Sequence, residues 1–472
     1  MRRLFLQKIF LIASDILAII VTYFVSLEIA NLIEGQDIHY FGTHHMVLLK
    51  LMNVFVIIAL FWVSELYTKR RPTWEELRIT YRQILYILLI DFILITFNRD
   101  IQSVTYLFFF LYWLLLLLFQ PLIRMVVVRI LLHYRLWQRR VYVIGTGSNA
   151  EAAYYLLKGR RQMGLELRAF ITLDQNDPRK FIAIDGREIP LCPFEDLFAK
   201  NRSAEVTIAL DSAELEINRD KIFRIQRYFF FVNLIPDFNG LSLYGIEVNH
   251  FFGKEQLLLR LENNLNRRVN RTIKLLFDLI LIVLLLPFIL LVMSIISLLI
   301  YLEDFGNPFF IQPRIGQNGR VFNCIKFRTM HKNAEKMLAE WKATDDPLYR
   351  EYINNNFKLK NDPRITRIGR FLRKSSLDEL GQLINVVKGE MSLVGPRPLI
   401  KREVKDYDDG MFYYGEVRPG ITGMWQVSGR SRTSFSDRCR LDTWYIKNWS
   451  LWYDIVILLK TIEVVFKRDG AY

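Results

Sequence analysis

The chain has little cysteine, and what it has is scattered. Cys192, Cys324 and Cys439 lie far apart with no CxxC between them. That spacing argues against a disulfide framework or a thiolate metal site and fits a reducing compartment. Histidine is equally thin, six residues without metal-ligand spacing. Lysine and arginine are missing from 34–45, a gap that bears on orientation. Apolar and basic residues, by contrast, are abundant. Hydrophobic residues make up 52% of the chain, aromatic residues 14%, and the formal net charge is +15. These values suit a membrane protein with substantial water-exposed parts. A basic surplus beside hydrophobic spans points to anionic lipid headgroups as partners rather than nucleic acid. At 472 residues there is room for two or three domains.

Residues 1–125 read as a four-helix transmembrane block. Apolar runs at 9–33, 46–64, 83–98 and 103–123 follow a short basic start. The first is too long, and too soon followed by others, for a cleaved signal peptide. The third is short for a span. Lys69, Arg70, Arg71, Arg78 and Arg82 lie between the second and third runs, and Arg124, Arg129, Arg135, Arg139 and Arg140 follow the fourth. With the 34–45 loop, which lacks Lys and Arg, on the other side, both ends of the block are expected in the cytoplasm. Asp15 and Asp91 lie in or near spans. A structural role is expected for both, because no basic partner sits at matching depth.

Residues 126–266 read as a soluble Rossmann-like domain. The segment 141–157 has the pattern of a strand, a glycine turn and a helix, in which Gly145, Gly147 and Ala150 match G-x-G-x-x-G/A. Further strands are expected at 167–173, 205–210 and 230–235, with Asp174 farther along than the usual ribose-binding acid. The glycines serve strand–helix packing equally well, and no hydride-transfer partners accompany them. We therefore expect a degenerate nucleotide site in a domain that regulates, rigidifies or dimerises the protein. A hairpin at 251–260 would suit a homodimer.

Residues 267–302 hold a long apolar run with Pro287 inside and cations on both flanks. An ordinary kinked span would put the remaining basic 170 or so residues outside the cytoplasm, against the positive-inside rule. A re-entrant membrane hairpin broken at Pro287, which enters and leaves one leaflet, avoids this.

Residues 303–472 carry the chemistry. Ser376 lies three residues before Glu379, the spacing of a capping box, and Leu377, Leu380, Leu383, Ile384 and Val387 give one apolar helical face ending at Gly389. Asp378 and Glu379 would then occupy a first turn, with Arg370, Arg373 and Lys374 crowding the same positive helix end. Simple capping is the plain reading. Two carboxylates, several cations and free N–H donors together also suit a divalent metal and a phosphorylated substrate. Lys326, Arg328, Arg397 and Arg430 lie on a strand or beside Gly and Pro turns, where rigid backbone preorganises phosphate contacts.

The motifs KFRTM (326–330), NDPRITRIGRFLRKSSLDEL (361–380), KGEMSLVGPRPL (388–399), RPGITGMWQVSGR (418–430) and WYIKNWSLWYDIVILLKT (444–461) stand in order. Their segment, 267–472, resembles the catalytic domain of the bacterial sugar transferases, the polyprenyl-phosphate hexose-1-phosphate transferases. The preceding blocks resemble the large members, and the whole looks most like those that act with galactose on undecaprenyl phosphate in O-antigen, capsule or exopolysaccharide assembly. Two positions depart from the usual pattern: Leu286 replaces a serine before Pro287, and Gly381 replaces a proline after Asp-Glu-Leu. The resemblance implies a multi-pass protein of the bacterial inner membrane, with the catalytic domain on the cytoplasmic face. It also implies UDP-hexose and undecaprenyl phosphate as substrates, with UDP-galactose favoured and UDP-glucose the alternative. Asp378 would be the nucleophile that forms a sugar-phosphoryl aspartate, and Glu379, with Asp378, would hold Mg²⁺. Lys326, Arg328, Arg373, Arg397 and Arg430 would bind phosphate and nucleotide. A competing reading, a nucleotide-sensing membrane regulator organised around Gly145–Ala150, does not require Asp378.

Overall fold

The computed structural model describes residues 2–34, 44–97, 103–158, 161–174, 176–200, 202, 204–236, 247–250, 257–260, 265, 268–354, 357, 359, 361–407, 410–429 and 434–467. The chain divides into two compact units, residues 1–239 and 240–472.

The first unit begins with four helices: α1 (Arg2–Glu34), α2 (His44–Val63), α3 (Thr73–Thr96) and α4 (Ser103–His133). α1, α3 and α4 are long and apolar enough to cross a bilayer, and α2 carries the shorter apolar stretch Asn53–Val63. Leu11, Ile57, Phe61, Ile84, Tyr112 and Trp113 pack inside the bundle, while Phe24, Leu89, Phe92 and Leu118 project outward. α3 is longer than its apolar run because the helix starts at Thr73, right after Pro72, and takes Arg78 and Arg82 into its first turns. Arg78 pairs with Glu75 one turn earlier.

Asp15 does have a basic partner, contrary to the expectation. α4 continues ten residues beyond the apolar run 103–123, so Arg124 lies within the helix. Its Nη1 donates to Asp15 at 2.9 Å, joined by the Tyr67 hydroxyl at 2.8 Å and Gln120 Nε2 at 2.9 Å. Arg124 also donates through Nε to Glu76 and through Nη2 to the Leu66 carbonyl. A buried carboxylate with three donors is satisfied. The structural role follows from a full set of partners rather than from their absence. Asp91 similarly accepts from Asn53 Nδ2.

An α/β region completes the unit. Its elements are β1 (Arg139–Ile144), α5 (Ser148–Lys158), β2 (Leu165–Thr172), β3 (Phe181–Ile184), β4 (Arg187–Pro193), β5 (Glu205–Ile208), α6 (Ser212–Ile217), α7 (Arg219–Tyr228) and β6 (Phe231–Leu234). The sheet order is β3-β4-β2-β1-β5-β6. All neighbours pair in parallel except β3 with β4. That hairpin was not anticipated, although its Asp185–Gly186 turn, with φ 57° and 71°, is the Asp-Gly signature of a two-residue loop. The two glycines of the β1–α5 turn differ. Gly145 has φ +116°, and a side chain there would meet the Ala209 carbonyl oxygen at 2.5 Å, whereas at Gly147 nothing lies within 4 Å.

The second unit opens with β7 (Glu247–His250) and β8 (Leu257–Arg260), an antiparallel pair. The expected hairpin at 251–260 overlaps it, and residues 251–256 lie outside the described residues. α8 (Arg268–Asp304) is one continuous helix of 37 residues with Pro287 inside. The expected break at Pro287 is therefore not a break in helical conformation. The missing N–H and ring clash of one proline allow a bend without ending the helix. Val283, Leu284, Phe288 and Leu291, around that proline, are each at least 60% exposed.

Then come the antiparallel strands β9 (Phe309–Ile315) and β10 (Val321–Phe327), α9 (Ala334–Ala343), α10 (Pro347–Asn354), α11 (Arg367–Ser375), a 3-10 turn at Leu377–Gln382 and α12 (Leu383–Val387). β11 (Ser392–Val394), α13 (Gly410–Glu416), β12 (Gly420–Thr422), α14 (Met424–Val427), α15 (Phe435–Lys447) and α16 (Leu451–Lys467) close the chain. β11 and β12 pair in parallel. Gly395 and Gly420 touch there: a side chain on Gly420 would lie 2.0 Å from the Gly395 nitrogen. The glycines of two separate motifs thus meet for packing.

Candidate active site

The site is built on β10 and the segment that folds back over it. α11 is fixed first. Thr366 caps it by accepting from Gly369 N at 2.8 Å, and the Glu303 carboxylate of α8 accepts from the N–H groups of Arg367 and Ile368. Gly369 presses on β10's continuation: a side chain there would lie 2.0 Å from the Thr329 carbonyl oxygen. Arg373 donates through Nε to Thr329 Oγ1 at 2.9 Å. Asp362 and Arg364 form a buried pair, with Oδ2 and Nη2 2.7 Å apart. Much of the long cationic motif is therefore occupied internally.

The capping box is not formed. Ser376 has φ 57° and ψ 18°, makes no side-chain cap, and ends α11. An N-cap needs extended backbone, and here a left-handed residue reverses the chain instead. Asp378 and Glu379 consequently lie in a 3-10 turn, and Arg370, Arg373 and Lys374 belong to the preceding helix rather than to the start of theirs. Leu377 and Leu380 pack against Ile296 and Ile300 of α8 and Phe327 of β10. Gly381 is buried, with space for a side chain limited by the Ile325 carbonyl oxygen at 3.0 Å and Lys326 Cα at 3.2 Å. Its bare backbone brings the turn close to β10. Asn385, fully buried, ties α12 to the same strand by accepting from Ile325 N and donating to the Asn323 carbonyl.

This folding brings Lys326 to the carboxylates. Its Nζ is 2.8 Å from Glu379 Oε1 and 4.0 Å from Asp378 Oδ2. Among the described residues no side chain donates a hydrogen bond to Asp378. Burial pushes its carboxyl up to about 6, with Lys326 pulling down, Glu379 pushing up and Arg373 pulling down. The pull of Lys326 and Arg373 on its titration is therefore outweighed by desolvation. At neutral pH the group is still mainly ionised, and it is more basic than an ordinary aspartate.

The other basic candidates diverge. Arg328 turns to Asp304 at the end of α8, Nη2 to Oδ2 3.4 Å. Arg397 lies over the Trp425 ring at 5.7 Å, and Arg438, which the sequence reading missed, lies over the same ring at 4.0 Å. Arg314 was missed as well. Burial and then Arg397 hold its guanidinium below the usual range. Burial raises the buried Cys324 thiol, with Lys326 and Arg314 opposing it. Beside Arg397 and Arg438, Asp442 accepts from the Tyr407 hydroxyl at 2.9 Å, and burial pushes its carboxyl up to about 7. No local spacing links these residues; only the fold gathers them. Arg430 lies outside the described residues.

Two adjacent oxygen donors, Asp378 and Glu379, are a suitable hard-cation pair. Among the described residues no group of three His, Cys, Asp or Glu could hold a metal. Mg²⁺ characteristically takes one or two carboxylates and completes its shell with water and substrate phosphate, and the pair fits that mode.

An acidic pair with Lys326 against it, beside an apolar helix exposed enough to meet lipid, suits a membrane-associated enzyme that acts on phosphorylated substrates, and the comparisons agree. Residues 269–468 match the family described as bacterial sugar transferase, and the chain belongs to it. It is 37% identical to an undecaprenyl-phosphate galactose phosphotransferase of Salmonella typhimurium, over 99% of this chain and 98% of that protein. It is 40% identical to a UDP-galactose-lipid carrier transferase of Erwinia amylovora, over 88% of this chain and 87% of that one. The exopolysaccharide production protein ExoY of Rhizobium meliloti is 45% identical over 39% of this chain and 80% of its own length.

Proposed function

We propose that this protein transfers hexose-1-phosphate, with galactose as the sugar, from UDP-hexose to undecaprenyl phosphate and so starts a polysaccharide repeat unit. The observation that carries the chemistry is Asp378, a mostly buried carboxylate of raised basicity with no side-chain donor spent on it. In the first step an Asp378 oxygen attacks the β-phosphorus. The bond from that phosphorus to the bridging oxygen breaks, and UMP leaves with the electron pair. In the second step an oxygen of undecaprenyl phosphate attacks the same phosphorus, and the aspartyl–phosphorus bond breaks to return the carboxylate. Lys326, free to exchange its Glu379 contact for phosphate oxygens, would neutralise charge that develops on the transferring group. Arg397 and Arg438, both over Trp425, would hold the nucleotide end together with Arg314, which donates to the Pro398 carbonyl beside Arg397. Glu379, assisted by Asp378, would hold Mg²⁺, which when bound supplies charge neutralisation between phosphates.

A re-entrant α8 supports a site at the membrane surface. A straight helix would separate Lys274 and Asp304 by about 45 Å, more than a hydrocarbon core of about 30 Å. Yet Lys274 bonds Asp454 and Tyr445, Asp304 accepts from Lys332 N, and all belong to one compact unit. Between these tethers the exposed apolar stretch around Pro287 is the part available to lipid. That arrangement and the positive-inside rule support an inner-membrane location with the catalytic unit on the cytoplasmic face. The middle domain reads as Rossmann-like because its parallel strands run outward in opposite directions from β1.

Membranes containing the protein, given labelled UDP-galactose, undecaprenyl phosphate and Mg²⁺, should form labelled lipid. Asp378→Asn should abolish this, and Gly147→Ala, where a methyl meets nothing, should leave it near normal. Transfer that survives Asp378→Asn would remove the assignment, and a preference for UDP-glucose would change the sugar. Cysteines at 268 and 320 should label from the same side.

A further inference from the structure

The sheet that carries Lys326 has two strands among the described residues, with β9 along one edge of β10. The other edge would leave backbone donors and acceptors open. One side chain occupies it. Asn385 Oδ1 accepts from Ile325 N at 2.9 Å, and Asn385 Nδ2 donates to the Asn323 carbonyl at 2.8 Å. The amide thus takes an N–H and a C=O two residues apart on β10, as a residue of a third strand would. Its second N–H goes to Glu390 Oε2 at 2.6 Å. Both amide hydrogens are committed, and only one orientation of the side chain satisfies all three partners.

This clamp joins the two halves of the site. On one side, Ile325 immediately precedes Lys326. On the other, Asn385 lies in α12, which continues directly from the 3-10 turn holding Asp378 and Glu379. Leu377 and Leu380 hold that turn through apolar contacts with α8 and Phe327, which are non-directional. The two Asn385 hydrogen bonds to β10 are directional and fix the register of strand against turn. We propose that Asn385 is a positioning residue for the transfer reaction, its amide setting where Lys326 meets the Asp378–Glu379 turn. This rests on the reading of Asp378 as the reacting carboxylate and Lys326 as the cation that meets the transferring phosphate. Asn385 spends its hydrogen bonds within the protein and acts through Lys326. A displaced strand is therefore felt in the chemical step and not in the hold on the nucleotide, which lies with Arg397 and Arg438 over Trp425.

The test measures steady-state transfer by the full chain in membranes, with UDP-galactose varied at saturating undecaprenyl phosphate and Mg²⁺. It compares Asn385→Leu, Lys326→Met and the double variant. Leucine keeps the branched shape of asparagine without its hydrogen bonds. Asn385→Leu should lower kcat about 10- to 100-fold, the cost of misplacing reacting groups by about 1 Å. KM for UDP-galactose should change by less than about twofold, since only the chemical step is touched. The double variant should be no slower than Lys326→Met alone, because both changes remove the same contact. Should Asn385→Leu not fold, Asn385→Ala, which leaves room for water at Ile325 and Asn323, replaces it in the same comparison. Losses that multiply in the double variant mark a merely structural residue and overturn the proposal, as does a raised KM with kcat kept. Full kcat in Asn385→Leu overturns it too, and leaves the site reading standing if Lys326→Met is slow. A normal kcat in Lys326→Met removes that reading and this proposal together.

Discussion

Asp15 and Asp378 are both largely buried carboxylates, and their surroundings treat them in opposite ways. Asp15 accepts from a tyrosine, a glutamine and an arginine. Asp378 faces one lysine at 4.0 Å, and its carboxyl is pushed up to about 6. Asp454 in the second unit resembles Asp15, with Lys274, Tyr445 and Trp449 all donating to it. Burial alone therefore does not separate a structural acid from a reactive one; the donor count does. A saturated carboxylate holds helices together, and an undersupplied one remains available to a phosphorus atom.

The sharpest way to break this contrast is to neutralise each acid. Asp378→Asn should reduce transfer by at least about 10³-fold, as loss of a nucleophile does, while the melting temperature stays level or rises because an unfavourably buried charge is gone. Asp454→Asn should instead destabilise by about 3–5 kcal/mol, since it takes the ion-pair partner from buried Lys274, and Asp15→Asn should destabilise by less, since Arg124 keeps Glu76. Thermal unfolding and transfer assays on the same preparations read both. If Asp15→Asn kept its stability and Asp378→Asn lost it, the roles would be reversed.

Next in size is Gly369→Ala. The added methyl meets the Thr329 carbonyl at 2.0 Å, and overpacking of that kind costs about 1–3 kcal/mol. Denaturant unfolding should show the loss, and Gly147→Ala should show none. A smaller effect is expected in the pH profile. Transfer should fall on the acid side with an apparent pKa near 6, as Asp378 takes up its proton. Lys326 pulls that value down, so Lys326→Met should move the acid limb of the residual activity to higher pH. A shift to lower pH would contradict the geometry. The smallest change is Ser376→Gly, which relieves a left-handed serine at φ 57° and should stabilise by up to about 1 kcal/mol without reducing transfer.

Much of this was legible because it is local. The glycine turn before α5, the apolar runs and the Asp-Glu pair are patterns within a dozen residues. The Asp185–Gly186 hairpin was equally local and was overlooked. The Ser376 reversal was hidden because Ser-x-x-Glu satisfies the capping pattern while the tertiary packing of Leu377 and Leu380 on α8 requires another conformation. The Asp15–Arg124 contact spans 109 residues, and its depth depended on how far α4 extends. Arg314, Arg438 and Asp442 were missed for the same reason, since each is separated widely in sequence from Arg397. Arg328 was expected on the strand with Lys326, but it falls just past the end of β10 and turns to Asp304, which arrives from another helix.

The central claim is that Asp378 becomes covalently loaded. The direct measurement is to incubate the purified protein with UDP-galactose and Mg²⁺ but no lipid acceptor, quench, digest and weigh the peptides. The account predicts hexose-phosphate on the peptide containing Asp378, fragmentation that assigns it to that residue, and UMP released in matching amount. An unmodified peptide, with UMP released only once undecaprenyl phosphate is added, would contradict it.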